Sequence, residues 1–281
     1  MSRAVLTFMS GALELWQTCT MSASATARAR VRAELVQEIK DAARRQMAAE
    51  GASALSLRAV ARELGMCSSN IYRYFPSRDQ LLTALIVDAY DAVGEAAEVA
   101  DARCERDDFA GRWSAACHSI RDWAGSNPHE YALVYGSPVP GYRAPEDTIA
   151  PATRVTLVLI SLIVDATAAG AVKAPVPAAG DVPISPTARA EAERLTEGAM
   201  TGVDVDTVIR SLVAWTQLFG FISFELFGHL VGAVEKGDAI FDAAVEQMGA
   251  FVGLGARSVG RTNREGATRG RERDARRTVR A

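Results

Sequence analysis

The chain has 281 residues, 49% of them hydrophobic and 23% charged, enough apolar material for one small and one larger domain and too much for a disordered polymer. No run of about eighteen apolar residues lacks a charge or a helix breaker, so no membrane span is expected; Cys19, Cys67, Cys104 and Cys117 make no CxxC pair or metal-ligand spacing, which excludes a disulfide scaffold and reads as reduced thiols in a cytoplasm. The net charge of −3 hides a division: residues 27–80 hold ten basic and six acidic side chains, 81–256 eleven and twenty-four, and 257–281 nine arginines and three acids, so a polyanion is drawn to the two ends.

Residues 1–26 carry an apolar run, AVLTFMSGALELW, interrupted by Glu14. They are expected to form a disordered extension rather than a signal peptide, with Met21 as an alternative start. Arg28, Arg30 and Arg32 then form an arm that either lies along phosphates or opens a solvated helix. Leu35, Ile39, Ala42, Ala43 and Met47 give the first helix its apolar face, and Gly51 ends it.

Leu57, Val60, Ala61 and Leu64 recur at i, i+3, i+4 and i+7, one stripe of a short helix with Ser56 as its N-cap. Gly65 stops that helix, because glycine tolerates the positive φ of a C′ position, and a second short helix begins near Ser68. The pair is a helix-turn-helix. Ile71 and Phe75 point inward, while Ser69, Asn70, Tyr72 and Arg73 face out as polar and aromatic groups suited to DNA. Cys67, opening the second helix, is read either as a weak replacement for a serine cap or as a thiol activated by the helix dipole.

The segment GMCSSNIYRYFPSRDQLL resembles the DNA-binding signature of the tetracycline-repressor (TetR) family of bacterial regulators. The resemblance implies a helix-turn-helix domain over 27–80 with Arg58, Ser68, Ser69, Asn70, Tyr72, Arg73, Tyr74 and Arg78 as candidate DNA-binding residues. Tyr72, Tyr74 and Arg78 match the family's phosphate-contacting positions. Residues 81–256 are then the ligand-binding and dimerisation domain.

Pro76 and Ser77 break the chain, and Ser77 with Gln80 forms a capping box for a long helix buried along Leu82, Leu85, Ile86, Ala89 and Val93. In the family it resembles, this helix carries the signal between the two domains. Phe109, Trp113, Ala116, Cys117, Ile120 and Trp123 repeat at helical spacing. Asn127, Pro128 and Glu130 supply an N-cap, a first-turn proline and a capping-box partner for the next helix. The segment NPHEYALVYGSPVPGY resembles a TetR C-terminal subfamily named for a Trp-His-Gly arrangement. Trp215 and Gly220 stand at matching places and Phe219 occupies the usual histidine position, so no role is carried over to it. Trp113, Trp123, Tyr131, Tyr135, Tyr142, Phe219 and Phe224 are candidates to line a cavity for an apolar or aromatic effector, or else are simply core.

Thr148 to Ala169 reads as a long helix, apolar nearly all round and so buried, followed by a proline-rich loop, AVKAPVPAAGDVPIS, and a short helix from Pro186 to about Met200. Asp204 or Asp206 caps a helix over Val208 to Val234, and a last helix spans Ala239 to Leu254. These two look like the family's dimerisation pair, with Trp215, Gly220, Gly228, Gly249 and Gly253 expected at the contact; Gly232 belongs to the same glycine set, explained by close helix approach. The arginine tail, 257–281, is expected to be disordered, adding nonspecific phosphate contacts or solubility alone.

The whole chain is therefore expected to be an all-α, two-domain homodimer that binds a palindromic double-stranded DNA operator as a repressor and is released by an unidentified small-molecule effector. A thiol-based redox sensor using Cys67 is the alternative. His118 adjoins Cys117 on a helix but faces another way, and no nucleophile with its base or phosphate loop is found, so no catalytic residue, metal or cofactor is assigned.

Overall fold

The computed structural model describes residues 28–173 and 184–255. The expected N-terminal extension (1–26), the middle of the proline-rich loop and the basic tail (257–281) lie outside the described residues. Among the described residues every element is helical. They are α1 (28–50), α2 (Leu57–Glu63), α3 (Ser68–Ile71), α4 (Arg78–Ala102), α5 (Phe109–Ser126), α6 (Pro128–Tyr135), α7 (Ile149–Ala168), α8 (Pro186–Thr196), α9 (Val205–Leu226) and α10 (Gly237–Val252), with one-turn 3-10 helices at Ala52–Ala54 and Glu146–Thr148. The chain divides into two compact units. The first takes the residues up to Gly94 together with Ala124–Arg154, and the second takes Glu95–Trp123 together with the residues from Val155 onward. The division thus falls inside α4, at Gly94, rather than after Gln80.

The first unit forms around the apolar faces read from the sequence. Ile39, Ala42, Ala43 and Met47 of α1, Leu57, Val60 and Ala61 of α2, Ile71 and Phe75, and Leu81, Leu82, Leu85 and Ile86 of α4 make one buried cluster. Helix α2 ends as its glycine requires: Gly65 has φ +64, its N–H donates to Arg62 O (3.2 Å), and the Met66 N–H donates to Ala61 O (2.8 Å). That paired 6→1 and 5→2 bonding is a Schellman motif. Ser56 sits at the N-cap but its hydroxyl makes no capping bond; its amide instead donates to Gln46 Oε1 (3.1 Å).

Segment 124–154 belongs to this unit because polar ties hold it there. Glu130 was expected as a capping-box partner, yet its Oε1 accepts from Arg44 Nε of α1 (2.8 Å), since a charged partner is the stronger one. The hydroxyls of Thr83 and Tyr142 bond at 2.9 Å, the Tyr90 hydroxyl donates to Val134 O (3.1 Å), and Arg154 pairs with Asp91 (2.7 Å).

In the second unit α7 buries Val155, Val158, Leu159, Leu162, Ile163 and Ala166 but leaves Leu157 exposed, so it is buried along one face rather than all round. Helix α9 is capped by Asp204, whose carboxylate accepts from the Thr207 N–H (2.9 Å). It ends at Leu226, short of the expected Val234. Gly228 (φ +79) is the C′ residue of a second Schellman motif, with Gly228 N–H on Glu225 O (3.2 Å) and His229 N–H on Phe224 O (2.8 Å). Gly232, also at positive φ, lies outside the helix.

These bonds give Gly228 a conformational role in place of the close helix approach expected from the sequence. Gly228 and Gly253 are turn residues; a Cβ on Gly253 (φ +106) would stand 2.3 Å from Lys173 O. Gly249 backs onto Trp113 of the same chain, 3.1 Å from the ring to an ideal Cβ, whereas a Cβ on Gly220 would meet nothing within 4 Å.

Among the described residues, two helices, Glu146–Ala168 and Val205–Leu226, are long and apolar enough to cross a membrane by length and composition. The sequence reading expected none. Several of their charged side chains are paired within the protein: Arg154 with Asp91, Asp165 with Arg112, Asp206 with Arg189 and Glu225 with Arg121.

Candidate functional site

The Schellman turn after α2 delivers Cys67 in an extended conformation (φ −63, ψ 135) as the N-cap of α3. Helix α3 is a single turn, continued by turn bonds from Arg73 N–H to Asn70 O (3.1 Å) and Tyr74 N–H to Ile71 O (2.9 Å). Ile71 and Phe75 anchor it in the core. Ser68, Ser69, Asn70, Tyr72 and Arg73 all face solvent, together with Arg58 on α2. Five neighbouring donors and acceptors plus a phenol ring that is 42% exposed form the edge that the pattern anticipated. An exposed edge of serine, asparagine, tyrosine and arginine on a rigid apolar spine can hydrogen-bond bases and phosphates.

Two of the expected DNA-binding residues are engaged elsewhere. The Tyr74 ring is half-buried and carries the Arg32 guanidinium 4.9 Å from its centroid, while Arg32 Nη2 donates to Arg73 O (3.4 Å). Arg78 donates through Nε to Leu55 O (3.0 Å) and through Nη2 to Ala52 O (3.0 Å) and Ser53 O (3.2 Å), and Nη1 lies 3.6 Å from Asp79. Its guanidinium fork is filled by protein groups, so it braces the α1–α2 connection. Cys67 is exposed and its thiol makes no capping hydrogen bond on a helix of one turn, so nothing at this position favours a redox role over a plain cap replacement.

Of the seven candidate effector residues, Trp113, Trp123, Phe219 and Phe224 belong to the second unit and Tyr131, Tyr135 and Tyr142 to the first. Trp113 is buried, donates to Val245 O (3.0 Å) and walls a cavity of about 190 Å³ in the second unit. Phe219 tilts against Trp215 at 5.7 Å, and Phe224 is 56% exposed beside His229. Trp123 is half-buried in the same unit. Tyr131, Tyr135 and Tyr142 belong to the first unit, where Tyr135 packs at 5.1 Å from Tyr131 and 5.9 Å from Tyr90. Burial pushes the Tyr135 and Tyr90 hydroxyls above the usual phenol range.

Apart from Trp113, the cavity is framed by residues outside the seven candidates: Thr156, Leu159, Ile160 and Ile163 of α7, Leu195 of α8 with Met200 beyond it, and Val208, Ser211, Leu212 and Trp215 of α9. The one available signal was the nearly continuous apolar run of α7. A separate surface depression of about 700 Å³ lies along α9 and α10 and includes Gly220, Phe221, Phe224 and Phe251. Cys117 and His118 diverge as expected: burial pushes the Cys117 thiol up, while His118 Nε2 meets Asp242 (2.7 Å) and Nδ1 meets Ser114 O (2.7 Å).

Comparison with known proteins gives two family matches. Residues 39–85 match bacterial regulatory proteins of the tetR family, and residues 113–248 match the tetracyclin repressor-like C-terminal domain. An HTH-type transcriptional regulator of Mycobacterium tuberculosis (strain H37Rv) is 39% identical over 217 residues, which cover 75% of this chain and 87% of that protein. The crystal structure of the protein SCO4313 aligns with a TM-score of 0.61 and 34% identity over 78% of this chain and 97% of the other. A Rhodococcus sp. RHA1 protein of unknown function shares the fold at a TM-score of 0.57 and 21% identity, over 80% of this chain and 96% of the other.

Proposed function

Because the chain belongs to the TetR family of bacterial helix-turn-helix transcriptional regulators, we propose that it is a cytoplasmic, homodimeric repressor that leaves a palindromic operator when its second unit takes up a small apolar or aromatic effector. The observation that carries the proposal is the solvent-facing row Ser68, Ser69, Asn70, Tyr72 and Arg73 held on the buried Ile71 and Phe75. A one-turn reading helix contacts few bases, so specificity requires two copies, which enter successive major grooves about 34 to 36 Å apart. That spacing is the reason for the dimer. Gly220 and the apolar depression beside it are the contact surface of this proposal, and membership of the Trp-His-Gly subfamily is part of it, supported by Trp215 and Gly220 at the matching places and opposed by Phe219 in the histidine position. Helix α4, shared by both units, is the covalent route by which effector binding reaches the DNA-binding edge.

The test is genome-wide mapping of bound sites followed by anisotropy titration of the purified protein on the recovered sequence. Saturation at one dimer per inverted repeat is expected. Binding as one monomer to a non-palindromic site would overturn the dimeric reading, and absence of enriched sites would overturn the regulator reading.

A further inference from the structure

The cavity framed by α5, α7, α8 and α9 has a wall that suits one kind of occupant. Its lining is almost wholly apolar: Trp113, Leu159, Ile163, Met200 and Val208 leave no charged group facing it. At about 190 Å³ it exceeds the engineered apolar cavity of about 150 Å³ that takes up benzene, and it falls below the usual space for a drug-sized ligand. The two tryptophans that line it differ. Trp113 Nε1 is satisfied by Val245 O at 3.0 Å, whereas Trp215 Nε1 is buried with no acceptor. A buried donor left unpaired costs about 1 to 3 kcal/mol, which is the reason such groups are rare in native structures and mark a place where an acceptor belongs. Indole is donor only, so the missing group is an acceptor. Ser211, the polar residue of α9 that lines the cavity, already donates its hydroxyl to Thr207 O (2.7 Å).

We propose that this cavity binds a neutral molecule of about one ring, carrying a single hydrogen-bond acceptor to which Trp215 Nε1 donates. The inference rests on reading the second unit as the effector-binding part. Charged ligands are excluded by desolvation, because no lining residue compensates an ion. The N–H is closed off from solvent in the unliganded chain, so the indole tilts slightly as the acceptor reaches it. Two features bear on this: Leu195 and Leu212 at the cavity are 43% and 51% exposed, and the Trp215 ring meets Phe219, also on α9, at 5.7 Å between centroids. The tilt therefore moves an α9 side chain and couples occupancy to the helix that carries Gly220.

The probes are acetophenone and α-methylstyrene, near-isosteres in which a carbonyl oxygen is exchanged for a CH₂ group. Each is titrated by calorimetry into the wild-type full chain and into Trp215→Phe, and the ratio of the two affinities is compared between proteins, which cancels their different hydration. The ratio should move about tenfold away from acetophenone in the variant, the worth of one hydrogen bond. Should Trp215→Phe fold poorly, indole ¹⁵N–¹H spectra of the wild-type chain give the second readout: one of four indole N–H signals shifts downfield with acetophenone and stays in place with α-methylstyrene. A ratio unchanged within twofold, an indole signal indifferent to the acceptor, or no binding of either probe to a protein that binds its operator overturns the site. If acetophenone binds through Trp215 but leaves operator affinity unchanged, the site stands and its reading as the effector pocket falls.

Discussion

Arg44 Nε lies 2.8 Å from Glu130 Oε1, which joins the first helix of the chain to a helix 86 residues later. The same guanidinium pairs with Asp88 and Asp41 at 2.8 Å each, so one side chain on α1 holds both α4 and α6. Burial alone would depress its pKa, but the bonds from Glu130 and Asp88 outweigh burial and raise it. Glu130→Gln should weaken the tie and lower the stability of the first unit by about 1 kcal/mol, and Arg44→Leu by about 2 kcal/mol, because it leaves Glu130 and Asp41 without their cation and Asp88 with Lys40 alone. Urea denaturation of the variants measures both, and equal stability to wild type would show the network to be incidental.

Acid sensitivity should centre on Asp101. Burial acts to raise its pKa, yet hydrogen bonds from Arg112 and Arg106 outweigh that and hold it below the usual carboxylate range. A depressed folded-state pKa stabilises the fold above the unfolded-state value near 4, and that contribution is lost as pH falls through the folded-state value. Asp101→Asn should therefore flatten the decline in thermal stability below about pH 4 and lower stability at neutral pH, since the buried Arg112 loses its 2.7 Å partner. A melting-temperature profile from pH 2 to 8 decides; parallel profiles for wild type and variant would assign the acid sensitivity to other groups.

On the proposed DNA-binding edge, Ser69 and Asn70 are expected to read bases and Tyr72 to hold phosphate. Asn70→Ala and Ser69→Ala should relax base preference at a cost of about 1 to 3 kcal/mol per lost contact, while Tyr72→Ala should weaken binding to every sequence alike. Arg78→Ala should behave differently from Tyr72→Ala. Because it braces three carbonyls of the Ala52–Leu55 connection, its loss should lower thermal stability before it changes the salt dependence of binding. Anisotropy titrations on operator and scrambled duplexes, alongside melting curves, distinguish the cases.

Gly220 and Gly253 make opposite predictions. Gly253→Ala forces a Cβ to 2.3 Å from Lys173 O at φ +106 and should destabilise the monomer by more than about 1 kcal/mol. Gly220→Leu meets open space within the chain and should leave its fold intact while weakening dimers, if α9 is the contact. Sedimentation velocity at low concentration reads the second effect, and an undiminished dimer would remove Gly220 from the interface.

Removal of residues 257–281 takes away nine arginines against three acids. Each neutralised phosphate contributes about 0.9 to the slope of log affinity against log salt, so the truncated protein should bind DNA less tightly at low salt with a shallower slope. An unchanged slope would leave the segment as a solubilising extension.

The sequence by itself determined the helical faces and the helix-turn-helix. The repeats Leu57, Val60, Ala61 and Ile71, Phe75 depend on a period of 3.6 residues, and Gly65 on its own φ, so both are local and readable without a fold. The same locality misled it for Gly228, where a C′ glycine inside an apolar run looks like a helix interior until the His229 N–H is seen on Phe224 O.

Only the tertiary structure decided which partners the long charged side chains choose. Arg78 reaches back to residues 52–55 and Glu130 to Arg44, because an arginine or glutamate can swing to any group within several ångströms and sequence spacing does not rank those groups. It also decided where the cavity lies. That space is what four helices leave unfilled between Trp113, Ile163, Met200 and Trp215, a property of their mutual packing that no single helix carries in its pattern.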